Sequence, residues 1–475
     1  AGVPARWDAE SVAQSVELGG HQVRTLFDGV FQVPPGHYLI ATEKHFQLIS
    51  YWDFNYPPTA EPVRQRSDAD YIAEFRHVLE EAVRLRLRAD VPVGCYLSGG
   101  IDSCAALGLA ARHRADPIRA FTLTFDRSDY DEEPQAREMA AKAGAEFVPI
   151  PIRQDDLADH FVDAIIQSET FCLNAHGVAK YLLSRAVRDA GFKVVMTGEG
   201  SDEILGGYAH FRRDMLLYNQ EGQDPAAVAR LLRELEQGNP VSRGLLMPHG
   251  ESLPLEGVKR VLGFLPTWTE AFAARSAKVR ALLADGFLEE FGAREPYQAL
   301  LSNLDVRGQL LGRPAVHQSL YLWSKTMLPA YILTVLGDRM EMAHSVEGRV
   351  PFLDHHVVET IRSQPVNLKI RGMTEKYVLR EAVRDVITDT VYRRQKHPFM
   401  SPPATLNPKA KLHDFVQDRL RGQALASIPF FDQKKVVSLL DRLGGMDEGA
   451  RVANDQILML LTSACVLQEH FRLAA

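Results

Sequence analysis

Between residues 68 and 208, short apolar runs alternate with stretches whose apolar residues recur at helical spacing. The runs 91–97, 118–125, 147–152 and 192–196 predict buried strands. Residues 68–88 place Ile72, Phe75, Leu79 and Ala82 on one helical stripe, with Ser67 as the N-cap, and 132–143 reads as another helix. This alternation predicts a parallel α/β sheet with right-handed crossovers. Beyond Tyr208 the pattern turns mostly helical, without a strong repeat. The first sixty residues differ. Strand-like runs at 29–33 and 37–40 flank a Pro34-Pro35-Gly36 turn and close on Tyr51-Trp52-Asp53, and a linker rich in proline and charge follows at 55–66.

Two of the predicted strands empty into glycine turns that carry acids. The first is Ser98-Gly99-Gly100-Ile101-Asp102-Ser103, which leads into helix-like sequence. Such a turn presents backbone N–H groups to an anion, and the Ser98 and Ser103 hydroxyls add donors. Asp102 fits beside phosphate when it holds Mg²⁺, so the loop points to a nucleotide with a metal. It lacks the lysine of the kinase-type phosphate loop. The second turn is Thr197-Gly198-Glu199-Gly200-Ser201-Asp202-Glu203, followed by Gly206-Gly207-Tyr208. Loops at the carboxyl ends of neighbouring parallel strands share one crevice, which would let Asp102 and Asp202 hold the same metal.

At these two turns the chain resembles the class II, glutamine-dependent asparagine synthetases. The likeness continues through Glu347-Gly348-Arg349-Val350-Pro351-Phe352-Leu353-Asp354, Glu375-Lys376-Tyr377-Val378-Leu379-Arg380 and Arg394-Gln395-Lys396-His397-Pro398-Phe399, in that family's order. It implies a doubly wound parallel sheet of the ATP-pyrophosphatase (adenine nucleotide alpha hydrolase-like) type, with helical additions and a small β remnant in front. The implied division is a glutaminase remnant over 1–57, a linker over 58–68 and a synthetase domain over 69–475. The implied reaction converts a carboxylate, such as aspartate, into an acyl-adenylate with ATP and Mg²⁺, releasing pyrophosphate; ammonia from glutamine then expels AMP.

The resemblance assigns Ser98, Gly99, Gly100 and Ser103 to the pyrophosphate, Leu97, Leu123 and Gly198 to the adenosine, and Asp102 and Asp202 to Mg²⁺. Glu199 becomes the general base, a task that suits a carboxylate whose pKa burial raises, where β-lactam synthetases carry a tyrosine. Lys396 is placed on oxygens that gain negative charge. Arg339 and Arg349 are weaker candidates, with Arg349 also read as bracing a turn through Asp354. His397 either shapes the pocket or caps a turn. Glu169, Asn174 and His176 lie where an acceptor would bind.

Composition adds exclusions. The 475 residues carry a net charge of −7, which argues against a nucleic-acid partner, and no apolar stretch is long enough to cross a membrane. Cys95, Cys104, Cys172 and Cys465 show no metal spacing, in keeping with a reducing, cytoplasmic setting, and Cys104 reads as a core residue. The family's glutaminase nucleophile is an N-terminal cysteine, whereas residue 1 is Ala1, so ammonium is expected as the nitrogen donor for this chain. A homodimer stays open. Two other readings stand beside the first: an amide-forming synthetase of specialised metabolism acting on a larger carboxylate, and a degenerate nucleotide-binding regulator. The joint presence of Asp102, Asp202, Glu199 and Lys396 argues against the last.

Overall fold

The computed structural model describes residues 2–18, 23–60, 66–126, 130–219, 224–238, 247–248, 250–294, 296–396 and 401–474. His397 and part of the expected linker lie outside them. Two short strands, β1 (His37–Ala41) and β2 (Phe46–Ser50), pair as an antiparallel hairpin. The central sheet contains β3 (Val93–Tyr96), β4 (Arg119–Phe125), β5 (Glu146–Ile152), β6 (Val194–Met196) and β7 (Glu347–Arg349). All its pairings are parallel, in the order β5-β4-β3-β6-β7. The chain winds outward first from β3 to β5 and then from β6 to β7, so the direction reverses between β3 and β6. That switch point opens a crevice at the strands' carboxyl ends.

Both faces of the sheet are covered, which explains why its inner strands read as continuous apolar runs. Cys95 and Leu97 pack with the helices Asp68–Arg86, Ile101–Ala111 and Glu133–Ala143. Tyr96, Phe121 and Val195 face Leu183 and Val187 of the helix His176–Asp189. Ser67 caps its helix as expected: its Oγ accepts from the Asp70 N–H at 3.2 Å, and the Asp70 carboxylate accepts from the Ser67 N–H at 3.1 Å. All four cysteines are free and buried, and burial pushes the Cys104 thiol up, as suits a core residue.

Two elements depart from the expected pattern. Strand β7 has no apolar run, only Gly348 between Glu347 and Arg349, and its strand form comes from pairing Gly348 with Val195. Near the front, ahead of the expected strand runs, Ala9–Leu18 is a helix that buries Val12 and Val16 one turn apart. Its Glu17 pairs with Arg280, while the Trp7 N–H donates to the Ala474 carbonyl at 2.9 Å. The run at 29–33 forms no strand; Phe31 makes a single bridge to Arg24. A second core gathers around the helix Glu448–Phe471.

Candidate active site

The two glycine turns meet at the switch point. A Cβ on Gly198 would sit 2.8 Å from both the Asp102 Cβ and the Ser103 backbone nitrogen, so glycine is what lets the second turn rest on the first. Ser201 Oγ donates to Asp102 Oδ1 at 2.7 Å across the junction. Inside the first turn, Ser103 Oγ accepts from the Ser98 N–H at 3.1 Å.

Asp102 and Asp202 converge on two lysines. Lys376 Nζ donates to both Asp102 carboxylate oxygens, at 2.6 and 2.7 Å, and lies 2.5 Å from Asp202 Oδ1. Lys396 Nζ lies 2.7 Å from Asp202 Oδ2 and 3.8 Å from Asp102 Oδ2. Two carboxylates thus face two ammonium groups with no net charge. Burial pushes the Asp202 carboxyl up, but the charges of Lys376 and Lys396 more than offset this and hold it below its usual range. The neighbouring Glu203 goes the other way, raised to about 7 by burial and by Asp202, despite a hydrogen bond from Tyr208 Oη at 2.8 Å.

The lysines are held by the segment 375–396. Lys376 has a left-handed φ of 53°, uncommon for a side chain of this size. Buried Glu375 anchors the segment: its carboxylate takes the Arg380 guanidinium and also accepts the Lys396 N–H at 2.7 Å. A Cβ on Gly207 would fall 1.9 Å from Asp202 Oδ1 and 2.2 Å from Lys376 Cε, so this glycine keeps the space the cluster occupies.

A cavity of about 250 Å³ opens onto this cluster. Leu97, Ser98, Asp102, Ser103, Leu123, Gly198, Glu199, Asp202 and Lys396 all line it. Gly99 and Gly100 lie in the turn without reaching its wall, and Lys376 is sealed beneath it. Asn174 and His176 also line it, with Asn174 Nδ2 donating to Tyr331 Oη at 2.8 Å and burial pushing His176 down to about 3. Glu169 stands apart, paired with exposed Arg339 at 2.7 Å.

Two expectations are corrected. Glu199 is half-buried, and its pKa is lowered rather than raised: burial pushes it up, and the Lys180 ammonium 2.7 Å away, with the Thr197 hydroxyl, overrides that. Arg349 does not brace Asp354. It pairs with Glu347 at 2.7 Å and donates to the Arg86 and Arg88 carbonyls, while Asp354 takes Arg86 at 2.8 Å. Sequence reasoning also passed over Lys376 and Lys180. Lys376 stood in the quoted Glu375–Arg380 motif, and Lys180 falls one helical turn after His176, a spacing that puts both on one face.

The two carboxylates fit Mg²⁺ in donor type, because this ion is commonly held by one or two carboxylates together with phosphate oxygens and water. Among the described residues no group of three or more His, Cys, Asp or Glu side chains could hold a metal alone, and no helix is long and apolar enough to cross a membrane.

Residues 74–469 match the asparagine synthase family model. The amidase chyE of Penicillium rubens is 33% identical over 86% of this chain and 64% of its own length. The amidase chry2 of Gibberella zeae is 32% identical, over 90% and 66%. The glutamine-hydrolysing asparagine synthetase 1 of Bacillus subtilis is 26% identical, over 80% and 56%. The chain therefore spans less than two thirds of the length of these relatives. Among solved structures, an NMN synthetase from Francisella tularensis is 20% identical over 30% of this chain and 60% of that one, with a TM-score of 0.22, too low to bear on the reading of the site.

Proposed function

Since the chain belongs to the asparagine synthase family, we propose that it forms an amide from ammonia and a carboxylic acid, using ATP to activate the acid as an acyl-adenylate. The observation that carries this reading is the meeting of Asp102, Asp202, Lys376 and Lys396 where two glycine turns touch at the switch point. A carboxylate cannot expel oxide, so activation has to precede attack by the amine. Transfer of AMP to the acid releases pyrophosphate, and attack by ammonia on the acyl carbon releases AMP.

Each part of the site has a task in this scheme. Backbone N–H groups of Gly99, Gly100 and Ser103 and the Ser98 and Ser103 hydroxyls bind pyrophosphate, while Leu97, Leu123 and Gly198 border the adenosine. Asp102 and Asp202 would hold Mg²⁺, which when bound neutralises phosphate charge. Lys396, on the cavity wall, meets negative charge as it develops on the reacting oxygens. Glu199 accepts a proton from the attacking nitrogen. Its lowered pKa keeps it ionised, and therefore able to accept, at neutral pH. Lys376 holds the two aspartates together from below.

Aspartate remains one candidate acid. The far wall of the cavity favours the second reading, a larger acid, because Phe272, Trp323, Met327, Ile332 and Leu336 offer apolar surface to the acceptor. Glutamine as the ammonia source, cytoplasmic location and a dimeric state belong to the same proposal. The test supplies ATP, Mg²⁺, ammonium and a panel of acids and measures the nucleotide products. AMP and pyrophosphate in equal amounts are expected, and stoichiometric ADP and phosphate would overturn the scheme.

A further inference from the structure

Opposite the aspartate–lysine cluster, the cavity wall comes from the helices Thr267–Arg280 and Ala315–Lys325 and the turns that follow the second. Phe272, Trp323, Met327 and Ile332 make that wall apolar, yet Arg275 lines it too, at 6% exposure. No carboxylate pairs with Arg275 among the described residues, and its Nε and Nη2 are sealed from solvent without a hydrogen-bond acceptor. Its guanidinium lies 4.3 Å from the Phe272 ring centre. Burial lowers it only to about 10, so it stays charged at neutral pH. A buried cation without a partner is costly, and an apolar side chain of similar size would normally be more stable there.

We propose that Arg275 is a specificity-determining residue that binds a second carboxylate on the acceptor acid, at the end remote from the reacting carboxylate. The inference rests on the amide-forming reading of the site. A chain of ring contacts separates the two ends. Phe272 and Trp323 have centroids 6.0 Å apart, Trp323 and Tyr208 5.5 Å apart, and Lys396 Nζ lies 5.9 Å from the Tyr208 centroid. Three aromatic rings thus stand between the guanidinium and the ammonium at the reacting centre. An acid whose two carboxylates are joined by an apolar body satisfies both ends and lies along those rings. The arginine charge suits a carboxylate, and removal from water strengthens the pairing.

The test compares 3-phenylpropionate, 3-(4-carboxyphenyl)propionate and aspartate on the full 475-residue chain. Binding is measured by calorimetry without ATP, and turnover by pyrophosphate release with ATP, Mg²⁺ and ammonium. The aromatic diacid is expected to bind at least about tenfold more tightly than the monoacid. Arg275→Met should erase that difference while holding or raising the unfolding temperature, and Arg275→Lys should keep part of the preference. Equal binding of the two aromatic acids, a preference for aspartate over both, or an Arg275→Met variant that is less stable and weaker for both alike would each overturn the inference. If none of the three acids yields pyrophosphate but the diacid still binds through Arg275, the carboxylate contact stands and the amide-forming reading of these acids fails. If both acids turn over and Arg275→Met alters neither, the reverse holds.

Discussion

The two ends of the cavity manage buried charge in opposite ways. At the strand ends Asp102 and Asp202 face Lys376 and Lys396 at 2.5–2.7 Å, so each charge there has a partner within the chain. Across the rings Arg275 has no carboxylate partner among the described residues. Paired charges can remain fixed whether or not a ligand is bound, which suits a site that must hold one orientation through a reaction. An unpaired charge gains its partner only with the ligand, which suits selection among acids. On the proposed reading, the paired groups keep the reacting end in one arrangement, and Arg275 gains its counter-charge from the acid.

The strongest way to break this contrast is to remove a partner from the balanced end. Lys376→Met keeps most of the side-chain volume but leaves two buried carboxylates sharing the Lys396 ammonium. Breaking a buried pair by deleting one member commonly costs about 3–5 kcal/mol, and urea unfolding should show a loss of that order. Unchanged stability would mean that the aspartates do not need Lys376. Lys396→Ala comes next. With Lys376 still bridging the aspartates, ATP binding by calorimetry should change little, while turnover falls by roughly 10²-fold or more because the lost contact matters mainly in the transition state. Near-normal turnover would reduce Lys396 to a counter-ion.

Glu203 sharpens the comparison through pH. Its carboxyl is raised from 4.5 to about 7, so between those values the folded chain keeps a proton that the unfolded chain has released. Stability therefore falls as pH rises through that window, by at most about 1.4 kcal/mol per pH unit, and levels off above it. Glu203→Gln should flatten this decline in unfolding curves taken across the window. A decline of the same slope in the variant would assign it to another group.

Much of this was legible in the chain because β3, β4, β5 and β6 are apolar runs and the turns after β3 and β6 carry acids among glycines. Asp102, Asp202, Glu199 and Lys396 all reach the cavity wall where the motifs suggested. What escaped depends on contacts between distant segments. Strand β7 exists through its pairing with β6, and the helix Ala9–Leu18 through packing against residues near 276–280. Lys376 differs from a surface lysine only because its φ of 53° and the Gly207 contact bring it under both aspartates. The pKa of Glu199 was misjudged for a related reason: burial is foreseeable from a motif, but the partner that reverses its effect comes from the helix His176–Asp189. Arg275 has no sequence signal, since its isolation is a property of what the fold fails to place beside it.

Lys180 tests the Glu199 assignment with the smallest expected effect. Its ammonium sits 2.7 Å from Glu199 Oε1 and 4.7 Å from the Tyr96 ring centre. In Lys180→Met the burial that raises Glu199 is no longer opposed by this charge, so its pKa should rise above the lowered value of the parent. A general base works only when ionised, so the acid limb of the kcat/KM profile should move to higher pH. Well above both pKa values Glu199 is ionised in either protein, and the rates should converge. Pyrophosphate release measured across about pH 5 to 8 would show the shift. A uniform loss of rate with the limb unmoved would instead make Lys180 a positioning contact and remove Glu199 from the proton transfer, leaving the nitrogen's proton to another group on the cavity wall.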